Sequence, residues 1–241
     1  KLVSSKQLDL NKSLAEYLPA LKGQIENADN ITLKMMVQHR SGIPNFTDTP
    51  DFWAAPTKSF EESFALISGK PANFEPDTSY EYSNTNYLLL NRIMGDTLGY
   101  DNFTFIKEQI LNPLSLERTY RSLVEVDLDD VMSGYHVGYP YDLKEDDHGM
   151  LATAEDVGIF LRALNDGSVF KAGEQEVYNS IYKLEHAGWV PGYQSFANYN
   201  SDLDTVVVTF YNTTDADLLN WNLSEIINNR IFDILKKQSN K

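Results

Sequence analysis

The chain has 241 residues, 42% hydrophobic, 12% aromatic and 23% charged, enough apolar material for one large domain or a core split into two lobes. A formal net charge of −15 disfavours nucleic acid and anionic membrane surfaces as partners, because both need a basic face. With no cysteine, disulfides, thiolate metal sites and a cysteine nucleophile are excluded, and no apolar run reaches the roughly 18 residues that cross a bilayer.

The first stretch, KLVSSKQLDLNKSLAEYLPAL, reads as the end of one helix, a short connection, and a small helix stopped by Pro19. Such a start leads us to expect residues ahead of Lys1. NITLKMMVQHRSGIP carries a cap at Asn30 or Thr32, an apolar cluster at Leu33, Met35, Met36 and Val37, and a stop at Gly42 and Pro44. SFEESFALISG is a helix with a Ser59–Glu62 capping box and Gly69 past its end. NTNYLLLNRIMGDTLG is a helix from Asn84 to Gly99, and DNFTFIKEQILNPL another, ended by Pro113. TAEDVGIFLRALNDG is capped by Thr153 and stopped by Gly167. The pattern then changes: SIYKLEHAGW, GYQSFANYN and DTVVVTFYNTT are short, β-branched or aromatic, and read as three successive antiparallel strands. LLNWNLSEIINNRIFDILKK closes the chain as a long amphipathic helix. Helices before a small sheet with a covering helix is α+β order.

Three stretches hold residues able to carry chemistry. In Tyr82-Ser83-Asn84, a Tyr hydroxyl can take a proton from a serine where cations lower its pKa from about 10. An Asn side chain offers a substrate amide both donor and acceptor. Ser83 and Asn84 are equally good helix caps, the simpler reading of the triplet alone. In His186-Ala187-Gly188, a Gly beside a polar residue on a strand marks close approach of backbone to a ligand, though a bulge with a surface His fits as well. HRSGIPNF reads as structural, with His39 favoured near a helix end by the dipole. His148 reads as a solvated loop residue and His136 has no assigned role. No metal-ligand spacing is present, and the acidic runs EVDLDD and KEDDH read as solvated faces.

Five segments in order, LDLNKSLAEYLP, ITLKMMVQHRSGIPNF, YEYSNTNYLLLNRIM, HGMLATAEDVGIFLRAL and EHAGWVPGYQSFANY, resemble the serine β-lactamase and penicillin-binding-protein superfamily. The likeness is to its class C β-lactamase-like branch of esterases, D-amino-acid peptidases and DD-carboxypeptidase-like proteins. The resemblance implies a β-lactamase-like α+β fold. A mainly helical lobe would span 1–170, and an antiparallel sheet flanked by helices, including the C-terminal one, would span 171–241. It implies a serine hydrolase that forms an acyl-enzyme with an ester, amide or D-amino-acid peptide and uses no cofactor or metal. The family's elements are S-x-x-K, Y-x-N, and K-T-G or H-x-G.

Tyr82 and Asn84 match the second element. Tyr82 would activate the nucleophile or protonate the leaving group, and Asn84 would bind the substrate amide. His186 and Gly188 match the third, with His186 polarising the site or holding a carboxylate or carbonyl. The N–H of Val190 is expected to serve the oxyanion. The nucleophilic Ser and its Lys are expected ahead of Lys1. SVFK at 168–171 and SIYK at 180–183 fit the letters but follow Tyr82, so their order is wrong. A His at 186 in place of Lys implies an esterase or peptidase rather than a strong β-lactamase. Partners would be small-molecule or peptide substrates, and relatives work in the periplasm or outside the cell. The alternative is a noncatalytic binding or sensor relative that has lost the serine.

Overall fold

The computed structural model describes residues 1–146, 149–182 and 186–239. In chain order the helices are α1 (Leu14–Tyr17), α2 (Leu33–Val37), α3 (Phe60–Ala65), α4 (Asn84–Leu98), α5 (Asn102–Ile106), α6 (Ala154–Asp166), α7 (Glu174–Ile181) and α8 (Leu219–Ser239). The strands are β1 (Thr119–Tyr120), β2 (Tyr135–His136), β3 (Leu151–Ala152), β4 (His186–Val190), β5 (Tyr193–Asn200), β6 (Thr205–Tyr211) and β7 (Thr213–Thr214). Packing divides the chain into two units, Lys1–Thr104 with Phe170–Lys183, and Phe105–Val169 with Leu184–Lys241. Each draws on both sides of residue 170.

The first unit is helical. The expected helix end at the start of the chain is a run of turns, one closed by the Ser5 N–H on the Lys1 carbonyl at 3.0 Å. A capping box sets α1: Ser13 Oγ accepts from the Glu16 N–H at 3.3 Å, and the Glu16 carboxylate accepts from the Ser13 N–H at 2.8 Å. Thr32 caps α2, accepting from the Met35 N–H at 3.2 Å. This helix ends at Val37, five residues before the expected Gly42 stop, and His39 takes the left-handed turn at φ 55°. At α3 the expected box is offset: Ser59 accepts from the Glu62 N–H at 3.1 Å, but Glu62 reaches past it to the Lys58 N–H at 2.7 Å. Gly99 closes α4 at φ 70°. Ser180 and Ile181, the first letters of the expected strand SIYKLEHAGW, instead end helix α7, and β4 is described from His186. Leu14, Ile31, Met36, Ile67, Leu89 and Ile93 form the core, each no more than 2% exposed. Each contributes roughly 1.5–3 kcal/mol on burial, and α2, which carries Met36, packs on α4, which carries Leu89 and Ile93.

The second unit is built on the antiparallel sheet β4–β5–β6, as the three apolar runs implied. A two-residue Pro191-Gly192 turn joins β4 to β5, with Val190 paired to Tyr193 and Gly188 to Ser195. Alternation places Phe196, Asn198 and Thr209 on one face. There Phe196 meets Trp221 of α8 at 4.7 Å between ring centroids, and Asn198 and Thr209 both bond Asn228. Val208 faces the other way, toward α6, whose Gly158 lets the helix backbone approach it. The short pairs β1–β3 (antiparallel) and β2–β7 (parallel) went unread in the sequence. The face α8 turns inward is also unexpected: Ser224 and Asn228 are each 4% exposed, while Leu223 and Ile226 are 55% and 57% exposed.

Candidate active site

In the first unit the site residues sit where the 39–47 loop meets the start of α4. The first N–H groups of a helix have no partner within it and need one from outside. Ser83 occupies the cap position, yet its hydroxyl is buried without a hydrogen bond. The cap comes instead from a distant loop: Asn45 Oδ1 accepts from the Asn84 N–H at 3.0 Å. Thr85, fully buried, donates to the Pro44 carbonyl at 2.6 Å and accepts from the Phe46 N–H at 3.1 Å. Asn84 Nδ2 donates to Thr47 Oγ1 at 3.0 Å. The reading of Ser83 and Asn84 as side-chain caps is therefore corrected, since the capping atom belongs to Asn45. Nothing local in the sequence marked Asn45, Thr47 or Thr85, because their partners lie about forty positions away.

This stitching brings Tyr82 and Asn84 together. The Tyr82 hydroxyl lies 3.4 Å from Asn84 Oδ1, a long contact, and the side chain is 48% exposed. Burial of the rest of the ring, with Tyr182 and Tyr80 as lesser contributors, pushes the Tyr82 phenol above its ordinary value. The expected lowering by cations is not what this environment does, so Tyr82 is a proton donor here rather than a ready phenolate. Its ring lies on the buried His39, with centroids 4.4 Å apart and a 30° tilt. Behind it Tyr87 and Tyr182 share a hydroxyl–hydroxyl bond of 2.7 Å.

Gly42 shapes this loop. Its φ is 75°, and a Cβ there would stand 2.1 Å from the Phe74 carbonyl oxygen, so backbone runs directly against backbone where the loop turns.

In the second unit, among the described residues, β4 lies at the edge of the sheet with β5 as its neighbour. His186 opens it, opposite Ala197. A Cβ on Gly188 would come within 2.7 Å of Ser195 Oγ, so glycine keeps this strand face low. A two-residue turn makes Val190 and Tyr193 the pair that exchanges both N–H···O bonds. The Val190 N–H is thus engaged with β5. By alternation the Trp189 N–H is then turned to the side of β4 away from β5. Gly188, Trp189 and Val190 line a cleft of about 990 Å³, with Tyr120, Met132 and Met150 among its apolar members. Its charged lining is Glu125, Asp127, Asp130 and Asp146 against Arg118 and Lys144, a net negative field. Tyr193, at the cleft, has its phenol pushed up to about 12 by burial, then by Asp142 and Asp146.

The remaining sequence candidates fall elsewhere. His148 lies outside the described residues. His136 bonds Thr214 Oγ1 at 2.8 Å and belongs to the β2–β7 junction. Ser168 follows the Gly167 stop of α6, and Ser180, near the end of α7, donates back to the Val177 carbonyl at 2.7 Å. Lys183, the last letter of SIYK, is outside the described residues. Among the described residues no three His, Asp or Glu side chains converge as metal ligands, and no helix is long and apolar enough to cross a membrane.

A helical unit that presents a Tyr–Asn pair, and a unit whose edge strand carries glycine at a cleft, define an α+β protein of the β-lactamase-like fold. The Beta-lactamase family model matches residues 1–180, and the chain belongs to that family. The fold is similar to that of a D-amino acid amidase from Ochrobactrum anthropi SV3 complexed with L-phenylalanine. The TM-score is 0.83 at 20% identity, covering 100% of this chain and 80% of that one. Among curated relatives, Protein flp of Staphylococcus aureus (strain MW2) is 27% identical over 120 residues, 49% of this chain and 24% of its own length. An N-acetylmuramyl-L-alanine amidase of Bacillus subtilis (strain 168) is 26% identical over 126 residues, 49% of this chain and 29% of its own length. The match thus spans about a quarter of these relatives' length.

Proposed function

We propose that the protein is a serine hydrolase that works through an acyl-enzyme on an amide, ester or D-amino-acid peptide. The observation that carries this reading is the Tyr82–Asn84 pair, a half-exposed phenol 3.4 Å from an amide oxygen, held by a helix start capped from another loop. Family membership and the amidase activities named for similar proteins support it.

In this reading a serine attacks the substrate carbonyl and passes its proton to its paired Lys, while Tyr82, neutral because burial raises its phenol, gives a proton to the departing nitrogen or oxygen and regains one from that Lys. Asn84 Oδ1 accepts a substrate N–H. Within the second unit taken by itself, Gly188 leaves room for a backbone laid along β4, whose outward amides suit an oxyanion. His186 helps to hold the substrate. The cleft's excess of carboxylates favours a substrate with a free amine over one with a carboxylate. That agrees with esterase or peptidase chemistry over action on anionic β-lactams.

The reading needs a Ser–Lys pair, and neither Ser168 nor Ser180 supplies the order Ser–Lys before Tyr82. The test is made on the protein as it occurs naturally. Intact mass with and without a fluorophosphonate probe, followed by turnover of D-phenylalaninamide, a D-alanyl-D-alanine peptide and a p-nitrophenyl ester, reads it directly. One adduct, with turnover of at least one substrate that is faster for an amine-bearing one, is expected. No adduct and no turnover would sink the hydrolase reading and leave a noncatalytic binding module.

A further inference from the structure

A buried polar chain lies under the Tyr82 segment, and the acyl-transfer reading makes no use of it. His39 follows α2 at φ 55° and is 5% exposed. Its Nδ1 receives two N–H groups, from the Ser83 backbone and from Asn86 Nδ2, each at 3.2 Å. The Ser83 N–H can only donate, so Nδ1 is an acceptor and Asn86 turns its Nδ2 toward it, leaving Oδ1 to accept from the Ser41 hydroxyl at 2.7 Å. Ser41 in turn accepts from the Ile43 N–H at 3.2 Å. Ser41 and Asn86 are 1% and 0% exposed, so every bond in the chain is shielded from water and unmade bonds are costly. Both donors aim at Nδ1. That nitrogen therefore carries the lone pair, and the ring proton sits on Nε2.

The same residue grips the segment twice more. The His39 carbonyl accepts from the Glu81 N–H at 3.0 Å, and its ring carries the Tyr82 ring 4.4 Å away. The residues before and after Tyr82 are thus both tied to His39, while the Tyr82 hydroxyl has a 3.4 Å contact to Asn84. We propose that His39 is a positioning residue for Tyr82. Through an Nδ1 acceptor, a carbonyl and a ring face, it fixes the backbone on both sides of the phenol and the plane in which the phenol is presented. The effect on rate rests on the hydrolase reading; the positioning itself does not.

Two substitutions separate the acceptor from the ring. His39→Asn keeps an acceptor near the place of Nδ1 and suits positive φ, but removes the ring. His39→Phe keeps a ring and removes the acceptor. In wild-type protein, a long-range proton–nitrogen spectrum of labelled histidine at neutral pH is expected to show Nδ1 as the unprotonated ring nitrogen of His39. Exchange of the Ser83 amide is expected to speed up about tenfold in His39→Phe, the size of a 1.4 kcal/mol loss, and to stay near wild type in His39→Asn. The Tyr82 ring resonance moves in His39→Asn. In the full-length enzyme kcat falls about tenfold to a hundredfold in both variants with KM little changed. A protonated Nδ1 in the wild type, or unchanged Ser83 exchange in His39→Phe, overturns the proposal. If Nδ1 is unprotonated and Ser83 exchange responds, but no substrate is turned over, the positioning stands and the hydrolase reading falls.

Discussion

Replacing Gly42 by Ala tests whether close backbone approach holds the loop that carries His39 and Asn45. The added Cβ stands 2.1 Å from the Phe74 carbonyl oxygen, far inside the 3.0 Å below which such contacts essentially do not occur. A left-handed conformation costs an L-residue about 1–2 kcal/mol. Moving the loop enough to relieve the clash stretches the bond from the Asn73 N–H to the Gly42 carbonyl, now 2.9 Å, worth about 1 kcal/mol. Residual strain adds about 1–3 kcal/mol, so the whole effect is about 3–6 kcal/mol. Gly23→Ala is the matched control: its φ is 81°, with nothing within 4 Å of the new atom. It carries the conformational cost alone. In urea, at a slope of about 3 kcal/mol/M, the unfolding midpoint drops by roughly 1–2 M for Gly42→Ala and by about 0.5 M for Gly23→Ala. If Gly42→Ala were no more destabilising than Gly23→Ala, the contact with Phe74 would not constrain the loop and the argument would be wrong.

Three further outcomes follow from the same structure. Tyr82→Phe should lower kcat of the full-length enzyme by about 10²–10⁴ with no loss of thermal stability, since its hydroxyl makes one long contact; undiminished turnover would remove Tyr82 from the chemistry. Asn45→Ala should cost about 1 kcal/mol in thermal unfolding, as loss of a cap does, although Asn45 is far from α4 in sequence; an unchanged melting temperature would place the cap elsewhere. Hydrogen bonds from the Asn220 and Leu219 N–H groups hold the Asp215 carboxyl below its ordinary value. Its folded pKa is depressed, so its stabilisation is present above the unfolded value near 3.9 and fades as pH falls through the folded one. The melting temperature should decline below about pH 4, and less steeply in Asp215→Asn; parallel profiles would refute the assignment.

Legibility followed the range of the interactions. The helix from Asn84 to Gly99 and the one from Thr153 to Gly167 were plain because apolar spacing, cap and glycine stop all lie within fifteen or so positions. The three sheet strands were plain for the same reason, being joined by short turns. Residues 174–181 were not: EQEVYNSI is short and polar, and its last letters run on into a β-branched and aromatic stretch. Tyr82 and Asn84 could be singled out, yet the capping role read for the Ser83 and Asn84 side chains was wrong, since the cap is Asn45. His39 looked like a residue placed by a helix dipole. Its partners, Ser83 and Asn86, lie more than forty positions on, where no local pattern reaches. Which amides of β4 face β5 could not be read from the sequence, because strand parity is set by the two-residue turn that pairs Val190 with Tyr193.

Thr214 makes that turn a clock for the second unit. It is fully buried, and its hydroxyl receives the Gly192 N–H at 2.7 Å while bonding His136 Nδ1 at 2.8 Å. The hairpin of β4 and β5 closes locally, but this junction waits for a segment 78 positions away in the chain. The Gly192 amide should therefore become protected late in refolding. In the native state it should exchange only through the largest opening of its unit, so one amide in a tight turn reports when the strand ahead of it has been locked in place.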